Sequence, residues 1–536
     1  MRIDRALTTA AAAGYLRLPF TKITDNSLAK RADDDYLNVQ LDNEQIFYGV
    51  EVSIGSDKQN MTLLVDTGSS DFWVLGAQNP YCKSNRGKKP KKKDQPSSVD
   101  PGRNGYPTKA EAIPYAERTF DCSDFKTFNS SSSNTFKSND TDFFITYGDG
   151  SYVEGTWGTD QVALAGQTLE NVTFAVAELT NNSYGLLGIG LPELESSITI
   201  DTAQLTNTSS VKKNPYMNFP ESLKLNKLIN KVVYSIYLNR TNDKFGSILF
   251  GAVDHNRYDG NLTTVPLVFS NRDFGTPRPN ELMVTLNGMS FEATDGNVTQ
   301  ILNATSKFPA LLDTGSTDTH LPVDVYNALA ESTNGTYDQT QNKIRIPKCL
   351  SKKDKTILNF SLGGVNIGVP YKEMVKKIKG KCYINVAPTG SDFAILGDDV
   401  IRYAYMVFDL EDREISLAQA SFNDTLPEDI EVVVSTIPGA TRASAYSETY
   451  SPTFAVPSAS SSGNTSSNGS TNLTRRFERR DIPLENKGVP TSKGFCRSYP
   501  VAGLVDCMNF SCGVSNTMNS AYNFFCSFNM IFTPIS

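Results

Sequence analysis

Histidine is nearly missing from this chain: 536 residues contain two, His255 and His320. Neither falls in an HExxH helix, and the sequence has no G-x-S-x-G turn, so zinc hydrolases and nucleophilic-serine hydrolases have no residues to build on. The four cysteines in the body of the chain, Cys82, Cys122, Cys349 and Cys382, lack CxxC spacing. With so little histidine, a structural zinc site is excluded as well, and no metal and no cofactor is expected. Long apolar runs are also lacking. The end of the chain, 521–536, mixes Phe and Ile with Asn, Ser, Cys and Pro. It is too short and polar to span a bilayer, so no transmembrane helix is expected, and a GPI-type signal would need a continuous apolar tail. Basic residues interleaved with aromatics do not occur. The single basic cluster, Arg86 to Lys93 (RGKKPKKK), reads as a solvated loop, which argues against nucleic acid.

What remains is ordinary globular composition, 39% apolar and 20% charged, with a net charge of −7 that leaves the chain outside the basic loop more acidic than the total. Acidic lobes attract cationic substrates. Short apolar-polar alternations punctuated by Gly, Asn, Asp and Ser, as in Phe47 to Gly55, Asp142 to Tyr147 and Val172 to Val176, predict an all-β protein. Helix is expected only in brief segments such as Pro322 to Glu331 and Lys372 to Lys377. Asn-x-Ser/Thr sequons recur, among them Asn129, Asn171, Asn181, Asn239, Asn261, Asn297, Asn303, Asn334 and Asn359. Their density beside cysteines that can pair points to the secretory pathway, with the chain extracellular or at the cell surface.

One stretch occurs twice. Leu63-Leu64-Val65-Asp66-Thr67-Gly68-Ser69-Ser70 returns as Ala310-Leu311-Leu312-Asp313-Thr314-Gly315-Ser316-Thr317. In each copy a buried strand ends on a carboxylate, followed by a Gly that lets backbone amides approach it. Each copy is followed by a second apolar run, Tyr184 to Gly190 and Ala394 to Asp398. Asp66 to Gly188 is 122 positions and Asp313 to Gly397 is 84. Setting aside the 39 polar residues between Cys82 and Cys122 brings the first spacing to 83. The halves therefore match around one surface insertion.

Two DTG[ST] loops, the hairpin Tyr147-Gly148-Asp149-Gly150-Ser151 between them, and the run Ile395 to Arg402 resemble the pepsin-type aspartic proteases. The insertion, the basic sites and the Ser/Thr-rich stretch make the chain similar to the fungal yapsins. The resemblance covers roughly Tyr36 to Phe422. It implies a bilobal fold with a central cleft, an aspartic endopeptidase acting on polypeptides, and disulfides Cys82–Cys122 and Cys349–Cys382, with buried free thiols as the alternative. It also implies that Thr67 and Thr314 lock the two loops across a pseudo-two-fold, that Ser69 and Ser316 donate to the outer carboxylate oxygens, and that Trp73 supports Tyr147 on a mobile flap.

Chemically, two carboxylates in one site cannot both ionise, so their titrations split into one low and one raised value. Asp66 and Asp313 can then serve as base and acid toward a water and a peptide bond. Asp149 at the flap tip would favour Lys or Arg near the scissile bond; a solvated turn Asp is the alternative. A glycoside hydrolase also pairs carboxylates, but does not explain two DTG[ST] copies. A catalytically silent binding or cell-wall protein remains open.

The expected organisation is a leader and propeptide, 1–35, cut after Lys30-Arg31. A first lobe at 36–235 carries the insertion 83–121, and a second lobe spans 236–425. A Ser/Thr-rich stalk at 426–480 and a cysteine-containing tail at 481–536 complete the chain. Met1 to Gly14 is a weak signal at best, which leaves an upstream start or unconventional export open. The residues point to a monomer and leave open clipping into two disulfide-linked chains.

Overall fold

Alternation carries the interior. In the strand Ile46–Ile54 the side chains of Tyr48, Val50, Val52 and Ile54 all face inward and are buried. The next strand, Gln59–Asp66, returns antiparallel to it and delivers Asp66 as its last residue. The computed structural model describes residues 14–24, 46–82, 120–148, 151–196, 198–200, 211–213, 216–240, 243, 245–270, 278–303, 305–351, 353–423 and 425–452, with short strands at 496–498, 505–507, 512–513 and 525–526. A second unit, 453–495 with 507–532, contributes to the description little more than the antiparallel pair Cys512–Gly513 and Phe525–Cys526.

One 14-stranded sheet runs through the body of the protein. Its antiparallel middle comprises Glu414–Ala420, Ala404–Asp409, Val233–Tyr237, Phe245–Phe250, Leu16–Thr24, Ile46–Ile54 and Gln59–Asp66, in that order. A second sheet of eight strands holds Phe308–Leu312 and Ala394–Leu396. The duplication seen in the sequence takes the form of two parallel pairings. Leu63 to Asp66 lies beside Gly185 to Gly188, and Ala310 to Leu312 beside Ala394 to Leu396. Both DTG loops thus leave strands hydrogen-bonded on each side, which fixes where their carboxylates point.

Helices are few. Val323–Ser332 lies where expected. Lys372 to Lys377 does not form a helix: a 3₁₀ turn, Tyr371–Met374, gives way to the strand Val375–Ile378, which pairs with Lys381–Ile384. The β-branched residues at both ends of that strand suit a ladder better than a helix. A helix not anticipated, Phe219–Leu225, starts at Asn218, whose side chain accepts the Glu221 amide while Glu221 reaches back to the Asn218 amide.

Both ends of the folded body extend further than composition suggests. Leu16–Thr24, within the expected propeptide, pairs with Phe245–Phe250 on one side and Ile46–Ile54 on the other, burying Leu16 and Leu18. At the other end, 426–452, counted from composition as the start of the stalk, folds back on the second lobe. Ile430–Val432 pairs with Ala252–Asp254, and Ala440–Arg442 adds a parallel edge to Tyr258–Pro266. Val433, Ile437 and Ala443 are buried there, and the buried ammonium of Lys231 donates to the Ser435 carbonyl. Removing this segment uncovers Val253, Leu262 and Tyr405. Three buried apolar side chains at about 1–3 kcal/mol each make the segment worth several kcal/mol. A chain ending at Phe422 is therefore expected to melt at least about 3 °C below one ending at Pro452. Equal melting temperatures by calorimetry would refute this role.

Candidate active site

The two DTG loops meet head to head. The Thr67 hydroxyl donates to the Leu312 carbonyl at 2.7 Å, and the Thr314 hydroxyl donates to the Val65 carbonyl at 2.9 Å. Each hydroxyl also accepts the opposite amide: Thr67 N–H reaches Thr314 Oγ1 at 3.1 Å and Thr314 N–H reaches Thr67 Oγ1 at 3.0 Å. These four bonds, two between the threonines and two from their hydroxyls to the opposite strand's carbonyls, close a two-fold lattice that a serine could copy only without the methyl packing.

Within each loop the carboxylate is held the same way. Asp66 Oδ1 accepts the Gly68 amide at 2.8 Å and Oδ2 the Ser69 hydroxyl at 2.5 Å. Asp313 Oδ1 accepts the Gly315 amide at 2.8 Å and Oδ2 the Ser316 hydroxyl at 2.6 Å. The glycines are required by space. A Cβ on Gly68 would lie 2.6 Å from Asp313 Oδ1, and one on Gly315 would lie 2.5 Å from Asp66 Oδ1. Each carboxylate therefore sits against the other's loop. Both are buried, at 5% and 8% exposure. Burial first, and the charge of Asp313 second, push the Asp66 carboxyl well above its ordinary range, against the opposing bonds from Ser69 and Gly68.

Above the pair stands the hairpin formed by Lys137–Thr146 and Tyr152–Leu164. Tyr147 follows the rising strand, half-buried, and accepts a 2.7 Å bond at its hydroxyl from Nε1 of the fully buried Trp73. Burial is the main cause that raises the Tyr147 hydroxyl's pKa, and the nearby Asp66 adds to it. Gly148 is exposed at the turn. Asp149 lies outside the described residues, as do Lys30 and Arg31. Cys82 is joined to Cys122 and Cys349 to Cys382.

Sequence reasoning overlooked a second tier of acids. The residue five places after each site aspartate is again Asp, at Asp71 and Asp318, and the two copies have opposite surroundings. Asp71 is completely buried with only neutral donors, the Tyr216 hydroxyl at 2.8 Å and the Ser196 amide at 3.0 Å, and desolvation moves its pKa up to about 6. Asp318 pairs with Lys343 and accepts Asn385 Nδ2 at 2.5 Å; Lys343, then Lys376, hold it below the ordinary carboxylate range despite burial. The repeated Asp after DTG[ST]-x was the signal available. Behind them Asp399, buried beside Asp318 and bonded by the Thr319 hydroxyl at 2.6 Å, is also moved up to about 6. Among the described residues no cluster of acidic, His and Cys side chains suits a metal, and no helix is long and apolar enough to cross a membrane.

The family profile described as eukaryotic aspartyl protease matches residues 47–420. Aspartic proteinase 3 of Saccharomyces cerevisiae is 37% identical over 478 residues, covering 81% of this chain and 82% of that protein. Aspartic proteinase yapsin-3 of the same yeast is 38% identical over 440 residues, covering 81% and 78%. Among solved structures, an aspartic proteinase from Irpex lacteus superposes with a TM-score of 0.51 at 20% identity, over 76% of this chain and 98% of that one. That likeness bears on the fold alone.

Proposed function

The chain belongs to the eukaryotic aspartyl protease family and is an aspartic-type endopeptidase, and from that premise we propose that Asp66 and Asp313 are its catalytic pair. One carboxylate takes a proton from water as the water attacks the scissile carbonyl, while the protonated partner gives its proton to the developing oxyanion. The amine then leaves with a proton returned through the pair, so the site ends as it began. The observation that supports this most is the packing of two buried carboxyls, each against the glycine of the other's loop, across the Thr67–Thr314 lattice. The raised Asp66 carboxyl makes an acid available at mildly acidic pH. Turnover is expected at acidic pH and blocked by pepstatin; full hydrolysis in saturating pepstatin would contradict the assignment.

Thr67, Thr314, Gly68, Gly315, Ser69 and Ser316 hold the pair, and Tyr147, with Trp73 behind it, covers the substrate. The substrates are polypeptides, and we infer a preference for Lys or Arg beside the scissile bond. Support comes from Asp149 in the hairpin turn, from the acidic balance of the chain, and from the likeness to yapsin-3. A charge-assisted hydrogen bond at such a position is worth about 1.5–3 kcal/mol, hence roughly tenfold or more in kcat/KM for a Lys-Arg peptide over a Leu-Phe peptide of equal length. Asp149→Asn is expected to erase most of that ratio. A wild-type preference for Leu-Phe would end this reading. Cleavage after Lys30-Arg31 and in the Lys91-Lys92-Lys93 loop follows from the same specificity. The secretory or cell-surface location is supported by the two disulfides, the sequons and relatives such as a secreted aspartic protease of Candida albicans.

A further inference from the structure

The insertion between Cys82 and Cys122 is closed by a stem whose residues pack under the hairpin that carries Tyr147. Cys82, Phe120, Cys122 and Phe125 are buried in one apolar cluster with Phe143 and Val153, which belong to the two strands of that hairpin. Trp73, the partner of the Tyr147 hydroxyl, lies in the same cluster. The floor of the hairpin is therefore built partly from the stem of the insertion.

The stem also makes a polar contact at the neck. Tyr81, whose ring stacks on Phe120 with centroids 6.4 Å apart, places its hydroxyl 3.0 Å from that of Tyr152. Tyr152 opens the descending strand, and the residue before it, Ser151, accepts the Tyr147 amide at 2.9 Å. The same short segment grips the next strand. Asn79 Oδ1 accepts the Tyr81 amide at 3.2 Å, and its Nδ2 donates to the Thr180 carbonyl at 3.1 Å. The Thr180 hydroxyl in turn donates to the Tyr152 carbonyl at 2.7 Å, and Asn181 Oδ1 accepts the Tyr152 amide at 2.9 Å. Tyr152 is thus fixed from two sides, by Thr180 and Asn181 within the lobe and by Tyr81 on the stem, one residue from the bond that positions Tyr147.

We propose that Tyr81 is a positioning residue: through its hydroxyl contact with Tyr152, the disulfide-closed stem of the insertion sets the neck of the hairpin and so the placement of Tyr147 over the cleft. The proposal rests on the reading of that hairpin as the substrate cover. Its physical basis is that the two hydroxyls lie at a half-exposed edge where water can replace either of them. Losing the contact therefore costs the fold little but widens the range of positions open to the neck, and substrate binding must then select a smaller productive fraction.

The test is steady-state hydrolysis of one peptide by the full chain carrying Tyr81→Phe, Tyr152→Phe or both. A neutral hydrogen bond of ordinary strength predicts KM raised about 3- to 10-fold in each single variant with kcat within about twofold of the parent. Because both variants delete one shared contact, the double variant should be no worse than the poorer single. Single variants with unchanged KM, or a double variant whose KM rise is the product of the singles, overturn the proposal. The catalytic reading is tested separately by Asp66→Asn, so an inert Tyr81→Phe removes the neck contact and leaves the carboxylate pair untouched.

Discussion

Asp66→Asn is expected to lower peptide turnover about 10⁴-fold at pH 4 while leaving the fold intact, and Asp313→Asn is expected to do the same. The amide is nearly isosteric with the carboxylate, and its oxygen can keep the 2.8 Å bond from the Gly68 amide. Its nitrogen faces the Ser69 hydroxyl, which can rotate from donor to acceptor. The Thr67–Thr314 lattice is not touched. What disappears is the ability of the pair to hold one proton between two sites, because an amide neither takes a proton from water nor passes one to a carbonyl. Since the two residues act as one unit, the double variant should lose little beyond either single. Turnover above about a tenth of the parent in either single variant, with the circular dichroism of the parent, would refute the pairing.

How far the letters led depends on the range of the forces involved. The DTG loops were legible because their requirements are local: three apolar residues for a strand, a carboxylate, and a glycine without a Cβ to strike the opposite acid. Even the long-range match of the halves could be read once the residues between Cys82 and Cys122 were set aside, and the parallel pairings at Gly185 to Gly188 and Ala394 to Leu396 have that spacing as their cause. Asp71 and Asp318 were not distinguishable, since the same residue at the same place in each repeat takes its character from Tyr216 in one case and Lys343 in the other. The folded segment 426–452 was hidden for a different reason. Its polar composition outweighs three inward side chains, Val433, Ile437 and Ala443, that no short-range period ties together. The neck contact of Tyr81 joins residues 71 positions apart and leaves no trace in either neighbourhood.

The same second tier of acids sets a strong dependence of stability on pH. Asp71 and Asp399 ionise at about 6 in the folded protein and near 4 when unfolded. The folded chain therefore binds more protons than the unfolded chain between these values, and stability falls as pH rises. Their contribution is complete below pH 4, is lost between about 4 and 6, and stays lost above that, on the order of 3 kcal/mol for each group. Asp66 and Asp398, both buried and both raised, act in the same direction. Asp318, held low by Lys343, acts oppositely: its contribution is present above pH 4 and fades below it. The maximum should therefore lie near pH 4. Wild-type protein is expected to melt at least about 5 °C lower at pH 7 than at pH 4. Asp71→Asn and Asp399→Asn should each reduce that fall by roughly a quarter or more. In Asp71→Asn the side-chain carbonyl keeps the Tyr216 hydroxyl and the longer 3.3 Å bond from the Ser196 N–H, while the amide gives up the 3.0 Å bond, so the variant should be slightly weaker at pH 4 and stronger at pH 7. A melting temperature flat from pH 4 to 7, or variants with the parent's slope, would show that these acids do not carry the dependence.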